Sequence, residues 1–185
     1  MIQATDEESA GLRRRALVLG GGVGALLAFD QMTKLWVSSR MELGESIPIV
    51  PGFIHFTLVH NTGMAFGMLS GSDIPFKSFL VTVLSLVALS AVIYYALRSQ
   101  HGEAATRFGL TFILGGALGN IVDRARLGYV VDFVDVFVRG AHWPAFNVAD
   151  SAICVGVGLL LLDSLRRREP ALQGEPGVAA RRGES

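Results

Sequence analysis

Four carboxylates crowd into one stretch of an otherwise apolar chain: Asp123, Asp132, Asp135 and Asp150, all between Gly115 and Ser151. Two of them occur in the same short phrase, Asn-x-x-Asp, at Asn120/Asp123 and at Asn147/Asp150. Two carboxylates in one poorly solvated site cannot both ionise easily, so such a pair tends to hold a single proton. The charged member can then activate a water while the other donates a proton, which is aspartyl-protease chemistry. It needs neither a metal nor a covalent nucleophile. Serine hydrolysis fits poorly, because there is no Gly-x-Ser-x-Gly and none of His55, His60, His101 and His142 lies near a plausible nucleophile. No His-Glu-x-x-His and no cysteine cluster offers a zinc site, since Cys154 is the single cysteine. The glycine run Gly20–Gly24 lies inside an apolar span, where helix packing accounts for it better than a phosphate does. No metal or cofactor is expected.

The elements that must position these groups read as membrane-spanning. Of the 185 residues, 51% are hydrophobic and only 17% charged, against about 25% charged in an average soluble domain. The charges gather at the ends and in a few clusters. Four apolar runs are expected to be transmembrane helices, at about residues 16–37, 78–97, 108–122 and 145–165. Arg13–Arg15, Arg98, Arg107 and Arg166–Arg168 flank one side of all four, which the positive-inside rule assigns to the cytoplasm together with both termini. These arginines read as topology signals and not as a nucleic-acid site. Residues 1–12 and 169–185 are expected to be disordered cytoplasmic tails around one membrane domain at 13–168, with extracytoplasmic segments at 41–75 and 125–144. Pro48, Pro51 and glycines punctuate β-favouring pieces at Ile47–Val50 and Phe53–His60, which suggests a small sheet between the first and second spans. Gly128–Arg139 reads as an extended segment returning over the site with Asp132 and Asp135.

Depth can be counted from the cytoplasmic arginines. Arg107 to Asp123 and Arg166 back to Asp150 are each 16 residues, or about 24 Å of helix. Arg15 to Asp30 and to Lys34 spans about 22 and 28 Å. Polar groups of three helices thus converge at one level of a core about 30 Å thick, in the outer leaflet. Within each helix the spacing is i, i+3 or i+4, so Asn120, Asp123 and Arg124 share a face, as do Asp30 and Lys34, and Asn147 and Asp150. Gly115 and Gly119 form a small-xxx-small pair that admits a close neighbour. Spacing alone pairs Asp123 with Asp150. An ion relay in a small proton-coupled transporter would also use intramembrane carboxylates, although it calls for groups near the midplane and open to both sides.

Five phrases, in order along most of the chain, resemble bacterial lipoprotein signal peptidase (signal peptidase II): Asp30-Gln31-x-Thr33-Lys34, Asn61-Thr62-Gly63-x-Ala65-Phe66, Gly115-Gly116-x-x-Gly119-Asn120-x-x-Asp123-Arg124, Val131-Asp132-Phe133 and Phe146-Asn147-x-Ala149-Asp150-Ser151. The resemblance implies a multi-pass peptidase of the bacterial inner membrane, a target of globomycin, with its active site toward the outer leaflet. Its substrates would be diacylglyceryl-modified prolipoproteins, cut on the N-terminal side of the lipidated cysteine. Its partners would be that substrate and membrane lipid, with no nucleic acid, and the chain would act as a monomer. It also implies that Asp132 and Asp150 are the catalytic dyad. Asp30, Lys34, Asn61, Gly63, Asn120, Asp123, Arg124 and Asn147 would then be supporting or substrate-binding residues, with Asp123 paired to Arg124 or another basic group.

Overall fold

The computed structural model describes residues 2–63, five positions between 83 and 94, residues 104–138 and residues 141–168. The expected second span, 78–97, lies largely outside these, with Val83, Ser85, Val87, Ser90 and Tyr94 helical. The expected tail at 169–185 lies wholly outside them.

Helix α1 runs from Ile2 to Ser38. Residues 2–12, expected to be disordered, therefore continue the helix. The chain has no proline before Pro48, and residues 2–12 are rich in Ala, Glu and other helix formers. With the apolar part already helical, each further residue adds a hydrogen bond without a new nucleation cost. The part long and apolar enough to cross a membrane is Ala16–Ser38.

Helix α2, Ala104–Leu127, outruns the expected span at both ends. It stops where Gly128 adopts φ 81° and its N–H bonds back to the Arg124 carbonyl at 3.0 Å, a left-handed cap that a side chain would strain. Helix α3, Val148–Arg168, begins three residues later than expected because Asn147 caps it. The Asn147 Oδ1 accepts from the Asp150 N–H at 3.0 Å, and the Asp150 Oδ2 accepts from the Asn147 N–H at 3.3 Å. This reciprocal box satisfies two end groups of the helix. Ala104–Leu127 and Val148–Leu165 are also long and apolar enough to span a membrane. Side chains such as Leu17, Phe108 and Leu161 are exposed along the three helices, as lipid-facing residues would be.

The three helices approach closely at glycines. A Cβ at Gly116 would run into the Ala149 carbonyl, and one at Gly119 would lie 2.5 Å from the Asp30 Oδ2. The Gly115/Gly119 pair therefore faces α1, with Leu26 against Gly115.

Four strands form one antiparallel sheet in the order β1 (Ser46–Val50), β2 (Ile54–Asn61), β3 (Val130–Val138) and β4 (Ala141–His142). The sheet thus draws on both non-helical segments, not on the one between the first two spans alone. A lone hairpin is marginal in stability, and β3 adds the buried Val131 and Phe133 to Leu58 of β2. Val131 and Phe133 bury with Leu58 against Val37 and Met41 at the end of α1, so the sheet sits on the helix end. Beyond β4, Phe146 bridges to Val134: its carbonyl accepts from the N–H groups of Phe133 and Val134 at 3.1 and 2.8 Å. That bridge delivers Asn147 beside Asp132.

Candidate active site

Two polar layers meet where the three helices reach the sheet. The lower one centres on Lys34, which is 3% exposed and has three donors for three acceptors. Its Nζ lies 2.9 Å from the Asp30 Oδ2, 2.9 Å from the Asp123 Oδ2 and 3.0 Å from the Asn120 Oδ1. Asp30, fully buried, also accepts the Ala149 N–H at 2.9 Å, so α1 caps the start of α3 across the interface. Asp123 accepts from the Gln31 Nε2 at 2.8 Å and from the Val131 N–H at 3.1 Å. The partner of Asp123 is Lys34, then, while its neighbour Arg124 turns elsewhere. The Arg124 Nη2 donates to the Gly63 carbonyl at 3.0 Å, holding the Asn61–Gly63 turn to α2.

The upper layer joins Asp132 to Asp150 through two amides. The Asn147 Nδ2 donates to the Asp132 Oδ1 at 2.7 Å and lies 3.2 Å from the Asn120 Oδ1. The Asn120 Nδ2 donates to the Asp150 Oδ1 at 2.7 Å. The second oxygen of Asp132 accepts from the Asn61 Nδ2 at 2.9 Å, and the Asn61 Oδ1 in turn accepts the Gly63 N–H at 2.8 Å. Asn61 therefore does two things, closing its own turn and holding Asp132. The β2–β3 register makes this possible, setting Asn61 opposite Val130 and Val59 opposite Asp132.

The two layers differ in chemistry. Asp30 and Asp123 share a buried cation, which fixes both as its counter-charges. Among the described residues, Asp132 and Asp150 accept hydrogen bonds from neutral amides, side-chain or backbone, surroundings in which one of the two can hold a proton. Burial pushes the Asp132 carboxyl up to about 7, and the charge of Asp150 pushes the same way. The hydrogen bonds from Asn61 and Asn147 and the charge of Lys34 oppose that rise. A carboxyl that keeps its proton near neutrality, beside a second carboxyl, is one arrangement able to support acid–base hydrolysis.

All ten expected site residues, Asp30, Lys34, Asn61, Gly63, Asn120, Asp123, Arg124, Asp132, Asn147 and Asp150, fall in this one network. Asp135 does not. It is partly buried on the sheet, accepting from Thr57 at 3.3 Å and pairing with His142 at 3.0 Å. The residue that sequence reasoning passed over is Gln31, whose Nε2 reaches Asp30, Asp123 and the Gly119 carbonyl. Its place between Asp30 and Lys34, at the common depth of the polar groups, was the available signal.

The family model for signal peptidase (SPase) II matches residues 22–166, which contain the whole network. A protein of Geobacter metallireducens named lipoprotein signal peptidase is 48% identical over 140 residues, covering 76% of this chain and 85% of the relative. One of the same name from Syntrophus aciditrophicus is 39% identical over 146 residues, covering 79% and 91%. A solved bacterial membrane enzyme, determined by the in meso method at 2.3 Å resolution, superposes with a TM-score of 0.72 at 30% identity, over 88% of this chain and 94% of its own. Helices, sheet and matched residues agree: the chain belongs to the signal peptidase II family of aspartic-type peptidases.

Proposed function

We propose that this chain removes signal peptides from diacylglyceryl-modified prolipoproteins, cutting on the N-terminal side of the lipidated cysteine, with Asp132 and Asp150 as the catalytic dyad. The observation that carries the dyad is the amide bridge Asp132–Asn147–Asn120–Asp150, which ties carboxylates from a strand and a helix into one unit. The network holds four carboxylates and two cations, Lys34 and Arg124. With one proton on the dyad its formal charge is −1, and with none it is −2, so burial favours the singly protonated pair.

In the reaction the ionised carboxyl takes a proton from water as the water oxygen attacks the scissile carbonyl. The protonated carboxyl gives its proton to the carbonyl oxygen, forming a tetrahedral diol. When that collapses, the C–N bond breaks, the diol returns its proton to one carboxylate, and the other carboxyl protonates the leaving amine. The dyad ends with the single proton it began with. Asp132, raised to about 7, is the member assigned the proton in the free enzyme, and Asp150, in the first turn of α3 where the helix dipole favours a carboxylate, is assigned the base. Asn61, Asn120 and Asn147 hold the two carboxyls in place. Lys34 balances Asp30 and Asp123 beneath them, and Arg124 with Gly63 borders the peptide.

The same reading places four spans in the bacterial inner membrane, the second at 78–97, with a single peptidase domain over 13–168. Both termini are cytoplasmic, and the active site faces the outer leaflet. The chain acts as a monomer surrounded by lipid and takes up its substrate from the bilayer. A gel-shift assay with purified protein and a diacylglyceryl prolipoprotein tests the core of this. Asp132→Asn and Asp150→Asn should each lower processing by at least about 10²–10⁴-fold, the range for a lost acid or base, with insertion and folding intact. Full cleavage by either variant would remove its aspartate from the dyad, and no processed band with the unaltered protein would remove the function.

A further inference from the structure

Gln31 bonds into the lower polar layer, yet neither charge balance nor proton transfer calls for it. Its Nε2 faces three acceptors: the Asp123 Oδ1 at 2.8 Å, the Asp30 Oδ2 at 3.2 Å and the Gly119 carbonyl at 3.3 Å. A side-chain amide carries both its hydrogens on nitrogen, so these acceptors fix which way the group points. Lys34 bridges the same two carboxylates, with its Nζ 2.9 Å from the Asp30 Oδ2 and 2.9 Å from the Asp123 Oδ2. At Asp30 the two donors share one oxygen. At Asp123 they divide the pair, Lys34 taking Oδ2 and Gln31 taking Oδ1.

That division reaches the catalytic strand. The Asp123 Oδ2 also accepts the Val131 N–H at 3.1 Å. A carboxylate turns as one plane, so holding Oδ1 at Gln31 sets where Oδ2 meets the strand. Val131 immediately precedes Asp132, and its carbonyl accepts from the Asn147 Nδ2 at 3.2 Å. The backbone of β3 beside Asp132 is therefore held at the N–H from α2 and at the carbonyl from the start of α3. Lys34 by itself would leave the first of these loose, because a compact ammonium attracts either oxygen of a carboxylate. The cation balances charge; the amide adds direction. Being neutral, Gln31 does so without altering the charge beneath the dyad.

We propose that Gln31 is a positioning residue for the dyad. It orients Asp123, and Asp123, through the Val131 N–H, fixes the backbone that presents Asp132 to Asp150. The chain of contacts Gln31–Asp123–Val131 runs from α1 through α2 into β3 and ends one residue from the reacting carboxyl. As a statement about catalysis the proposal rests on the peptidase reading; as a statement about the backbone of β3 it does not.

Gln31→Met keeps the length of the side chain and removes its donors. For purified, folded protein acting on a diacylglyceryl prolipoprotein, kcat should fall about 10–100-fold, the scale of a misplacement of about 1 Å, with KM within about twofold. A purely structural part would reduce the folded fraction and leave kcat of the remainder unchanged. In an Asp123→Asn background the same replacement should lower kcat by less than about threefold, because the residue through which Gln31 acts is already altered. Equal losses in the two backgrounds, or a change confined to KM, would overturn the proposal. Amide exchange in protein labelled with 15N-valine needs no substrate: the Val131 N–H should exchange about tenfold faster in Gln31→Met. Unchanged protection there would overturn the proposal, whether or not the unaltered protein cuts the precursor. Gln31→Leu, which also lacks the donors, should show the same effects and takes the place of the methionine variant if that one does not fold.

Discussion

Replacing Lys34 by methionine keeps the side-chain volume and removes the cation that touches both Asp30 and Asp123. With Lys34 present, the three groups carry a formal net charge of −1; without it, −2, on two carboxylates that are 0 and 3% exposed. Breaking a buried ion pair by deleting one partner costs about 3–5 kcal/mol, most of it from the charge left behind. In a domain of this size about 1 kcal/mol moves the melting temperature by about 2–4 °C, so Lys34→Met should melt about 6–20 °C lower. Adding Asp123→Asn restores the formal −1 and should recover part of that loss. The double variant remains less active than the unaltered protein, because the Asn120 Oδ1 has also lost its 3.0 Å donor and Asn120 positions Asp150. Thermal unfolding of purified protein in one detergent, followed by size-exclusion chromatography, measures all three. If Lys34→Met melts within about 2 °C of the unaltered protein, or if the double variant is less stable than the single one, charge balance does not organise the lower layer.

Other perturbations separate the remaining roles. Because Asp132 is raised from 3.8 to about 7, the folded state binds its proton more tightly than the unfolded one. The stability it contributes is complete below about pH 4 and is lost as pH rises through about 7, at up to about 1.4 kcal/mol per unit. Asp132→Asn should flatten that slope in pH-dependent unfolding, and kcat/KM of the unaltered protein should fall above pH 7 as the dyad loses its proton. Asn147 both caps α3 and holds Asp132. Asn147→Ala should cost about 1–2 kcal/mol from the cap alone, whereas Asn147→Ser should regain most of that stability without regaining activity; activity recovering together with stability would mean the contact to Asp132 is idle. Gly116→Ala drives a methyl into the Ala149 carbonyl and should cost about 1–3 kcal/mol by overpacking, whereas Gly20→Ala, with nothing within 4 Å, should cost nothing and stabilise by up to about 1 kcal/mol in the same melting assay.

Sequence by itself determined what depends on local composition and on counting. Apolar runs of sufficient length become spans because every backbone group in lipid must find its partner within the helix, and α1, α2 and α3 stand where three of those runs do. A fixed rise per residue is enough to set Asp30, Lys34, Asp123 and Asp150 at a common height along their helices. Strands stand at the β-favouring pieces at 47–50 and 53–60 and, at Val130–Val138, within the segment read as extended, because side chains and turn residues decide that locally. What repeats in sequence need not repeat in space, however. Asn120-x-x-Asp123 and Asn147-x-x-Asp150 have the same spacing, yet the second is the capping box that starts α3 and the first lies within α2, its Asp bound to a lysine 89 positions away. No local rule distinguishes them, since i and i+3 share a face in either setting.

Tertiary structure alone decided the pairings. The β2–β3 register carries Asn61 to Asp132, and the Phe146 bridge carries Asn147 to its other oxygen. These contacts span 71 and 15 residues of chain and depend on how strands slide and on which neighbour fills a glycine notch. The fastening of the sheet to the end of α1 was hidden for the same reason, as was the trans cap from Asp30 to Ala149. Composition sets which groups a membrane protein must hide, and only packing chooses which of them meet.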